Sequence, residues 1–256
     1  KRLAADGVKA ASVDEIAESC RTIFLSLPGG KEVEEICLGP NGLTTKAKLG
    51  WTVVDLSTAP PRLARRLYAE FEGRAAAFAD APVARTRQAA IDGTLSIMVG
   101  ATAPTFGRIE PLLRHMASEV THCGEAGAGQ TVKILNNMIL FQTVVALGEA
   151  LSIARANDVD GKVLFETLTK GSADSFALRN HGMKAMLPGV FPERAFSTKY
   201  ALKDLSYAIE MADETGVPAL GADVARELME RAVELGHGEE YWPVLLRSIE
   251  DAAGKG

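Results

Sequence analysis

Three polar residues near the middle of the chain could do chemistry together. Lys133 is followed by Asn136 and Asn137, three and four positions on. In a helix of 3.6 residues per turn, all three project to roughly one face. Their neighbours are mostly apolar, and a polar trio in such a helix is expensive to bury unless it binds something. An amine so placed suits proton transfer. Reduction of a carbonyl by hydride leaves an alkoxide, which needs a proton from a positioned acid. A low-dielectric cleft weakens a lysine's preference for its charged form. The carboxamides would hold the amine and substrate oxygens in register. On spacing alone a second reading stands beside this one: Lys133 lays its stem along a half-buried helix and lifts its head into solvent.

The elements around the trio must position it. Upstream, Gly124, Gly127 and Gly129 join a short strand to a long helical pattern from Gln130 to about residue 157, free of proline. Glycines there permit positive φ and close backbone approach. GxxGxG is not the GxGxxG of a dinucleotide turn, and no acidic residue closes a strand about 20 residues later, so it is weak as a phosphate cradle. Earlier in the chain, apolar runs at 22–27, 51–56, 76–79 and 95–99 read as strands. Between them, residues 31–38 read as a helix, and Ser57 to Pro61 open another with prolines in its first turn. Ser12 and Glu15 form a capping box for a short helix before the first strand. Strands separated by helices argue for a parallel sheet in an α/β layer architecture. After residue 130 the chain reads as helix after helix, at 163–169, 200–215 and 222–235. The expected plan is an α/β domain at 1–126 and an all-helical domain at 127–256, built on the long helix.

Composition narrows the function classes. The 256 residues are 47% hydrophobic and 24% charged, which reads as globular rather than disordered. A net charge of −5 with scattered Lys and Arg leaves no basic footprint and points away from nucleic acid. No uninterrupted apolar run approaches the ~20 residues of a membrane span. The most apolar stretch, 138–151, is broken by Gln142, Gly148 and Glu149. Cys20, Cys37 and Cys123 are too few and too dispersed for a disulfide frame, and fit a reducing cytoplasm. The N-terminus has no apolar signal core. His115, His122, His181 and His237 have no Cys, Asp or Glu in ligand spacing, so no metal is implied. His122 is expected to be satisfied by backbone at a strand end, and Trp242 to be packing. The final helices look apolar enough to need a partner surface, which suggests a homodimer or homotetramer.

Several motifs in order resemble the β-hydroxyacid dehydrogenase family, which includes 3-hydroxyisobutyrate dehydrogenase and tartronate semialdehyde reductase. They are Leu27-Pro28, Asp55-x-Ser57-Thr58, Asp80-Ala-Pro-Val83, Gly93-Thr-Leu95, Met98-Val-Gly100, the glycine block with Lys133-x-x-Asn136-Asn137, and Lys203-Asp-Leu205. The resemblance covers essentially the whole chain. It implies a Rossmann-type cofactor domain, NAD or NADP as cofactor, and Lys133 as general acid/base. It places Leu27, Pro28, Ser57, Thr58, Gly127 and Lys203 beside the cofactor. It places Arg85, Thr86, Asn136, Asn137 and Ser172 at the substrate, a small anionic hydroxy acid or semialdehyde. Each motif also has a plainer reading: Pro28 ends a strand, Thr58 caps a helix, Ser172 lies in a polar turn, and Lys203 with Asp204 is solvated surface.

Two departures from the family pattern stand out. The opening strand, GxGxxG and helix are absent; residues 1–9 resemble the part just after that unit. The expectation is a sequence that omits part of the native protein, binding cofactor poorly as it stands. And where Ser-Gly-Gly is usual, Ala84, Arg85 and Thr86 follow Val83. An Arg-Thr pair there is similar to the sulfolactaldehyde and succinic semialdehyde reductase branch, and a guanidinium fork suits carboxylate or sulfonate. Arg85 is equally readable as an ordinary surface arginine. The rival class is a non-catalytic reductase-like binding module, which would have no need of a proton donor. Decarboxylation of the 6-phosphogluconate type is set aside because the chain is too short for that group's larger helical domain.

Overall fold

The computed structural model describes residues 7–254; residues 1–6, part of the stretch compared above with the family's opening, lie outside the described residues. Contacts divide the chain into two compact units that meet between Lys133 and Ile134.

The first unit is a sheet clothed by helices. A short helix, α1 (Val13–Ser19), starts on the Ser12/Glu15 capping box. Strands β1 (Thr22–Leu25), β2 (Thr52–Asp55) and β3 (Ala77–Asp80) then pair in parallel, with Leu25 beside Asp55 and Asp55 beside Asp80. All four residues of β2 are buried, as befits an inner strand. Helices α2 (Gly30–Leu38), the single turn α3 (Leu43–Lys46) and α4 (Pro61–Glu72) fill the connections. In α4 the residues Pro61, Leu63, Ala64, Leu67 and Phe71 form the buried face. Phe71 lies flat on Phe78 of β3, with ring centres 5.9 Å apart.

Beyond β3 the sheet departs from a purely parallel plan. The chain passes Pro82 into β4 (Val83–Ala84) and then reaches the short helix α5 (Arg87–Ile91) and β5 (Leu95–Gly100). Asp80 faces Gly100, Val83 faces Ile97 and Ala84 faces Ser96, all antiparallel and in one unbroken register. So β3 and β4 form one extended arm that runs on past the ends of β1 and β2. After α6 (Ala103–Leu113), strand β6 (Ala117–Gly124) pairs in parallel with β5. Period-based reading misses the arm because Pro82 interrupts the run and β4 has only two residues.

The second unit is helical. Helix α7 (Ala128–Ala156) begins in the first unit and continues into this one for a total of 29 residues. By length and composition it is apolar enough to cross a membrane, where counting uninterrupted runs gave no candidate. In this structure Phe141, Val144 and Leu151 of α7 are fully buried in the unit's own core. Helix α8 (Gly161–Leu168) follows, capped by Asp160, then a π-helical segment (Leu178–Met186). Next come α9 (Thr198–Thr215), α10 (Leu220–Glu234), a 3-10 turn (Trp242–Leu245) and α11 (Leu246–Ala252). Gly216, at φ +70, ends α9 in the left-handed conformation that glycine adopts without strain. Trp242 is fully buried and meets the Phe141 ring edge-on at 4.8 Å.

Candidate active site

The C-terminal ends of β1, β2 and β3 are knotted to the start of α7 by side chains the chain supplies for that purpose. Asp80 ends β3 wholly buried, its two oxygens accepting from the Gly127 N–H at 2.6 Å and the Gln130 N–H at 2.7 Å. Those donors lie just before and within the first turn of α7, where backbone N–H groups have no partner within the helix and the dipole favours negative charge. Gln130, also fully buried, accepts from the Ala59 N–H at 3.1 Å and donates to the Ser57 carbonyl at 2.7 Å. Ser57 completes the knot. Its hydroxyl accepts from the Leu27 N–H at 2.9 Å, and its own N–H donates to Asp55 at 2.9 Å.

The knot brings together Leu27, Ser57, Gly127 and, one helical turn beyond Gln130, Lys133, which is 9% exposed. Pro28 is exposed and Thr58 half-buried beside them. Thr58 does not cap α4; Pro60 holds that position, and no side chain caps the helix. The Gly29–Gly30 entry to α2 has no side-chain cap either. Two helix N-termini without side-chain caps therefore rise from the carboxyl ends of β1 and β2. This is the edge at which open α/β sheets take dinucleotides, and such ends attract anionic groups. The residues present fit a nicotinamide dinucleotide there.

Arg85 and Thr86 stand elsewhere, at the tip of the β3–β4 arm. Five residues of chain carry Arg85 beyond Asp80, two of them strand β4. The Arg85 guanidinium donates to the Thr94 carbonyl at 2.6 Å and the Ser118 hydroxyl at 2.7 Å. The Thr86 hydroxyl accepts from the Ala89 N–H and caps α5. Arg85 also has φ +85, in the left-handed region that favours glycine.

In the second unit, Asn137 is buried and donates through Nδ2 to the Asp204 carboxylate at 2.8 Å. Its Oδ1 accepts from Asn136 at 3.2 Å. Lys203 pairs with Asp204 at 3.1 Å and sits 4.0 Å above the Tyr200 ring. Asp204 is thus no part of a solvated surface. Ser172 is exposed in the turn after α8.

Burial dominates the electrostatics of the knot. It pushes Asp55 up to about 6, against hydrogen bonds from Ser57 that pull the other way. Asp80 is likewise pushed up to about 6 by burial, opposed by the Gly127 and Gln130 N–H groups. In the second unit, burial draws His181 down to about 4; its Nδ1 meets the Tyr241 hydroxyl at 2.6 Å. His122 rests on the Ala101 carbonyl at 2.7 Å. All three cysteines are free. Among the described residues no group of three His, Cys, Asp or Glu is placed to hold a metal. A shallow cleft of about 440 Å³ between Arg65, Cys123, Glu125 and Thr131 is lined by none of the candidate site residues.

Pattern reading passed over Gln130, Asp55, Asp80 and Asp204 as individuals. Gln130 carried a usable signal, an uncharged polar residue in the first turn of an apolar helix. Asp204 did too, since it falls on the buried stripe of α9.

Family models match both halves of the chain. Residues 1–124 match the model of the NAD binding domain of 6-phosphogluconate dehydrogenase. Residues 127–245 match the one described as NAD-binding of NADP-dependent 3-hydroxyisobutyrate dehydrogenase. The chain is 30% identical to 2-(hydroxymethyl)glutarate dehydrogenase of Eubacterium barkeri, over 94% of this chain and 79% of that protein. It is 31% identical to mitochondrial 3-hydroxyisobutyrate dehydrogenase of Mus musculus, over 94% and 74%. It is 29% identical to 3-sulfolactaldehyde reductase of Escherichia coli K12, over 96% and 82%. In fold it resembles the crystal structure of 3-hydroxyisobutyrate dehydrogenase from Salmonella typhimurium, with TM-score 0.84 at 24% identity, covering 96% of this chain and 86% of that one.

Proposed function

The chain belongs to the β-hydroxyacid dehydrogenase family of NAD(P)-dependent oxidoreductases, and from that premise we propose that it interconverts a small anionic aldehyde and its hydroxy acid, with Lys133 as acid and base. The nicotinamide, when bound, supplies or accepts the hydride. Lys133 gives a proton to the carbonyl oxygen as that oxygen gains charge, and takes it back from the hydroxyl in the reverse direction. Asn136 and Asn137, on the next turn of α7, hold the substrate oxygens. Leu27, Pro28, Ser57, Thr58, Gly127 and Lys203 hold the cofactor.

One observation carries this reading. Gln130 ties the first turn of α7 to the Ser57–Ala59 turn by two hydrogen bonds, and Lys133 is buried three residues further along the same helix. At about 1.5 Å per residue that is about 4.5 Å of helix. A solvent-facing lysine would be exposed; this one is not.

The relatives named above act on a hydroxymethylglutarate, a hydroxyisobutyrate and a sulfolactaldehyde. All are short molecules ending in a carboxylate or sulfonate. Arg85 and Thr86 take that end, with Ser172 as a further contact. To do so, the exposed guanidinium exchanges Thr94 and Ser118 for substrate oxygens. Its backbone supports a selected role, since φ +85 costs an ordinary residue about 1–2 kcal/mol relative to glycine.

The same reading makes residues 1–126 the cofactor-binding domain and 127–256 the substrate and association domain of a cytoplasmic homodimer or homotetramer. Val217, Leu220 and Val224 support the association. All three are exposed, Val217 just before α10 and Leu220 and Val224 at helical spacing within it, Leu220 by 73%.

Kinetics of Lys133→Ala and Arg85→Ala on short aldehydes with carboxylate, sulfonate and neutral ends test the proposal, with both nicotinamide cofactors. Lys133→Ala is expected to lower kcat by about 10²–10⁴ while cofactor still binds. Arg85→Ala is expected to lose about 10- to 100-fold on anionic substrates only, the worth of a hydrogen bond to a charged group. Normal turnover by Lys133→Ala removes the acid–base reading; equal loss on neutral and anionic substrates removes the clamp.

A further inference from the structure

We propose that Asp204 is a positioning residue: its buried carboxylate fixes the carboxamide of Asn137 in one orientation and holds Lys203 beside it. This rests on the substrate-holding role of Asn137 proposed above.

The inference starts from where the carboxylate lies. On α9 the buried stripe is Thr198, Ala201, Asp204, Leu205 and Ala208, so Asp204 is the one charged residue on the face turned to the core. It is 2% exposed. An apolar residue there would complete the stripe, and well-packed apolar groups commonly match or exceed buried ion pairs in stability. Stability alone therefore does not select a carboxylate at this position.

Its partners supply a reason. A carboxamide can sit either way round, and a flip exchanges donor and acceptor. An ionised carboxylate accepts only, so at 2.8 Å from Asp204 the Asn137 side chain must present its nitrogen. Its oxygen is then turned to Asn136, which donates to it at 3.2 Å. The chain of bonds has one direction, from Asn136 to Asn137 to Asp204. The other side of the same carboxylate holds the Lys203 ammonium at 3.1 Å. Tyr200, one turn before, lies 4.0 Å from that ammonium, and Tyr207, one turn after, lies 5.5 Å away. Both rings attract the cation. One buried group thus sets the aim of an amide and of an amine on two different helices of the same unit.

The test is a double-mutant cycle in the complete enzyme, followed by kcat, KM and melting temperature with a turned-over short hydroxy acid. Asp204→Ala is expected to lower kcat by about 10- to 100-fold, and Asp204→Asn by about 5-fold or more, because its carboxamide pairs with Asn137 either way round and no longer fixes it. If Asp204 acts through Asn137, the double variant Asn137→Ala/Asp204→Ala is no slower than Asn137→Ala by more than about 2-fold. Multiplicative losses overturn the proposal. So does Asp204→Ala with normal kcat and a lowered melting temperature, or an Asn137→Ala enzyme of normal kcat. Should Asp204→Ala fail to fold, Asp204→Asn decides. A fall in kcat towards the Asn137→Ala level at unchanged melting temperature supports the proposal, and turnover near wild type overturns it. Failure of the acid–base reading shows separately, as normal turnover by Lys133→Ala.

Discussion

Asp55 and Asp80 face each other across neighbouring strands, and burial sets them both near 6 from an ordinary 3.8. A carboxyl whose folded value is raised adds most stability below its unfolded value and loses it as pH rises through the folded one. The window is therefore about pH 4 to 6, and two units correspond to about 3 kcal/mol for each group, as an order of magnitude. Asp55→Asn keeps an oxygen for the Ser57 N–H and removes the charge. Its melting temperature is expected to gain on wild type between pH 4 and pH 6 and to level off above. A difference between the two proteins that is constant across that range refutes the argument. Asp80 does not allow the same exchange, because both of its oxygens already accept from backbone N–H groups and an amide nitrogen would oppose one of them.

Among the elements, α7 and the sheet meet at very close quarters. A methyl group on Gly129 would overlap the Met98 carbonyl and come within 2.8 Å of the Gly100 nitrogen. A methyl group on Gly100 would in turn approach the Gly129 nitrogen to 2.8 Å. At Gly129 backbone meets backbone, so no side chain can move aside. Gly129→Ala must lift the first turn of α7 away from β5 and stretch the Asp80 and Gln130 bonds. A loss of about 1–3 kcal/mol is expected in urea unfolding, with a fall in kcat because Lys133 moves with the turn. Stability within about 0.5 kcal/mol of wild type would show that the contact is slack. Sequence reading assigned two uses to these glycines, positive φ and close approach, without apportioning them. Gly124 and Gly127 have φ of +133 and +91, whereas Gly129 serves for closeness.

At the scale of the molecule, periodicity made the two-part plan legible: apolar runs separated by capped helices, then a long proline-free helix. It left the β3–β4 arm unseen, since a two-residue strand has no period. The helical half was read within about two residues at most boundaries, because its caps are local; Ser197 and Asp160 act on their own neighbours. The candidate site was legible only where its residues lie close together in sequence, as in Lys133-x-x-Asn136-Asn137. Gln130 with Ser57, and Asn137 with Asp204, are partners 73 and 67 positions apart, which no local pattern reveals. The proposed association belongs to this scale as well. Light scattering of the purified protein is expected to give a dimer or tetramer mass, and Leu220→Glu to lower it. A monomer mass at micromolar concentration would leave the apolar start of α10 without its assigned purpose.

Arg85 has a consequence for how this protein can change. At φ +85 glycine rests without strain and arginine does not. A change from arginine to glycine takes a single base and relaxes the main chain, while removing the side chain proposed to take the anionic end of the substrate. On that proposal, drift at this codon runs downhill towards breadth. A narrow diet then persists only while selection keeps defending it.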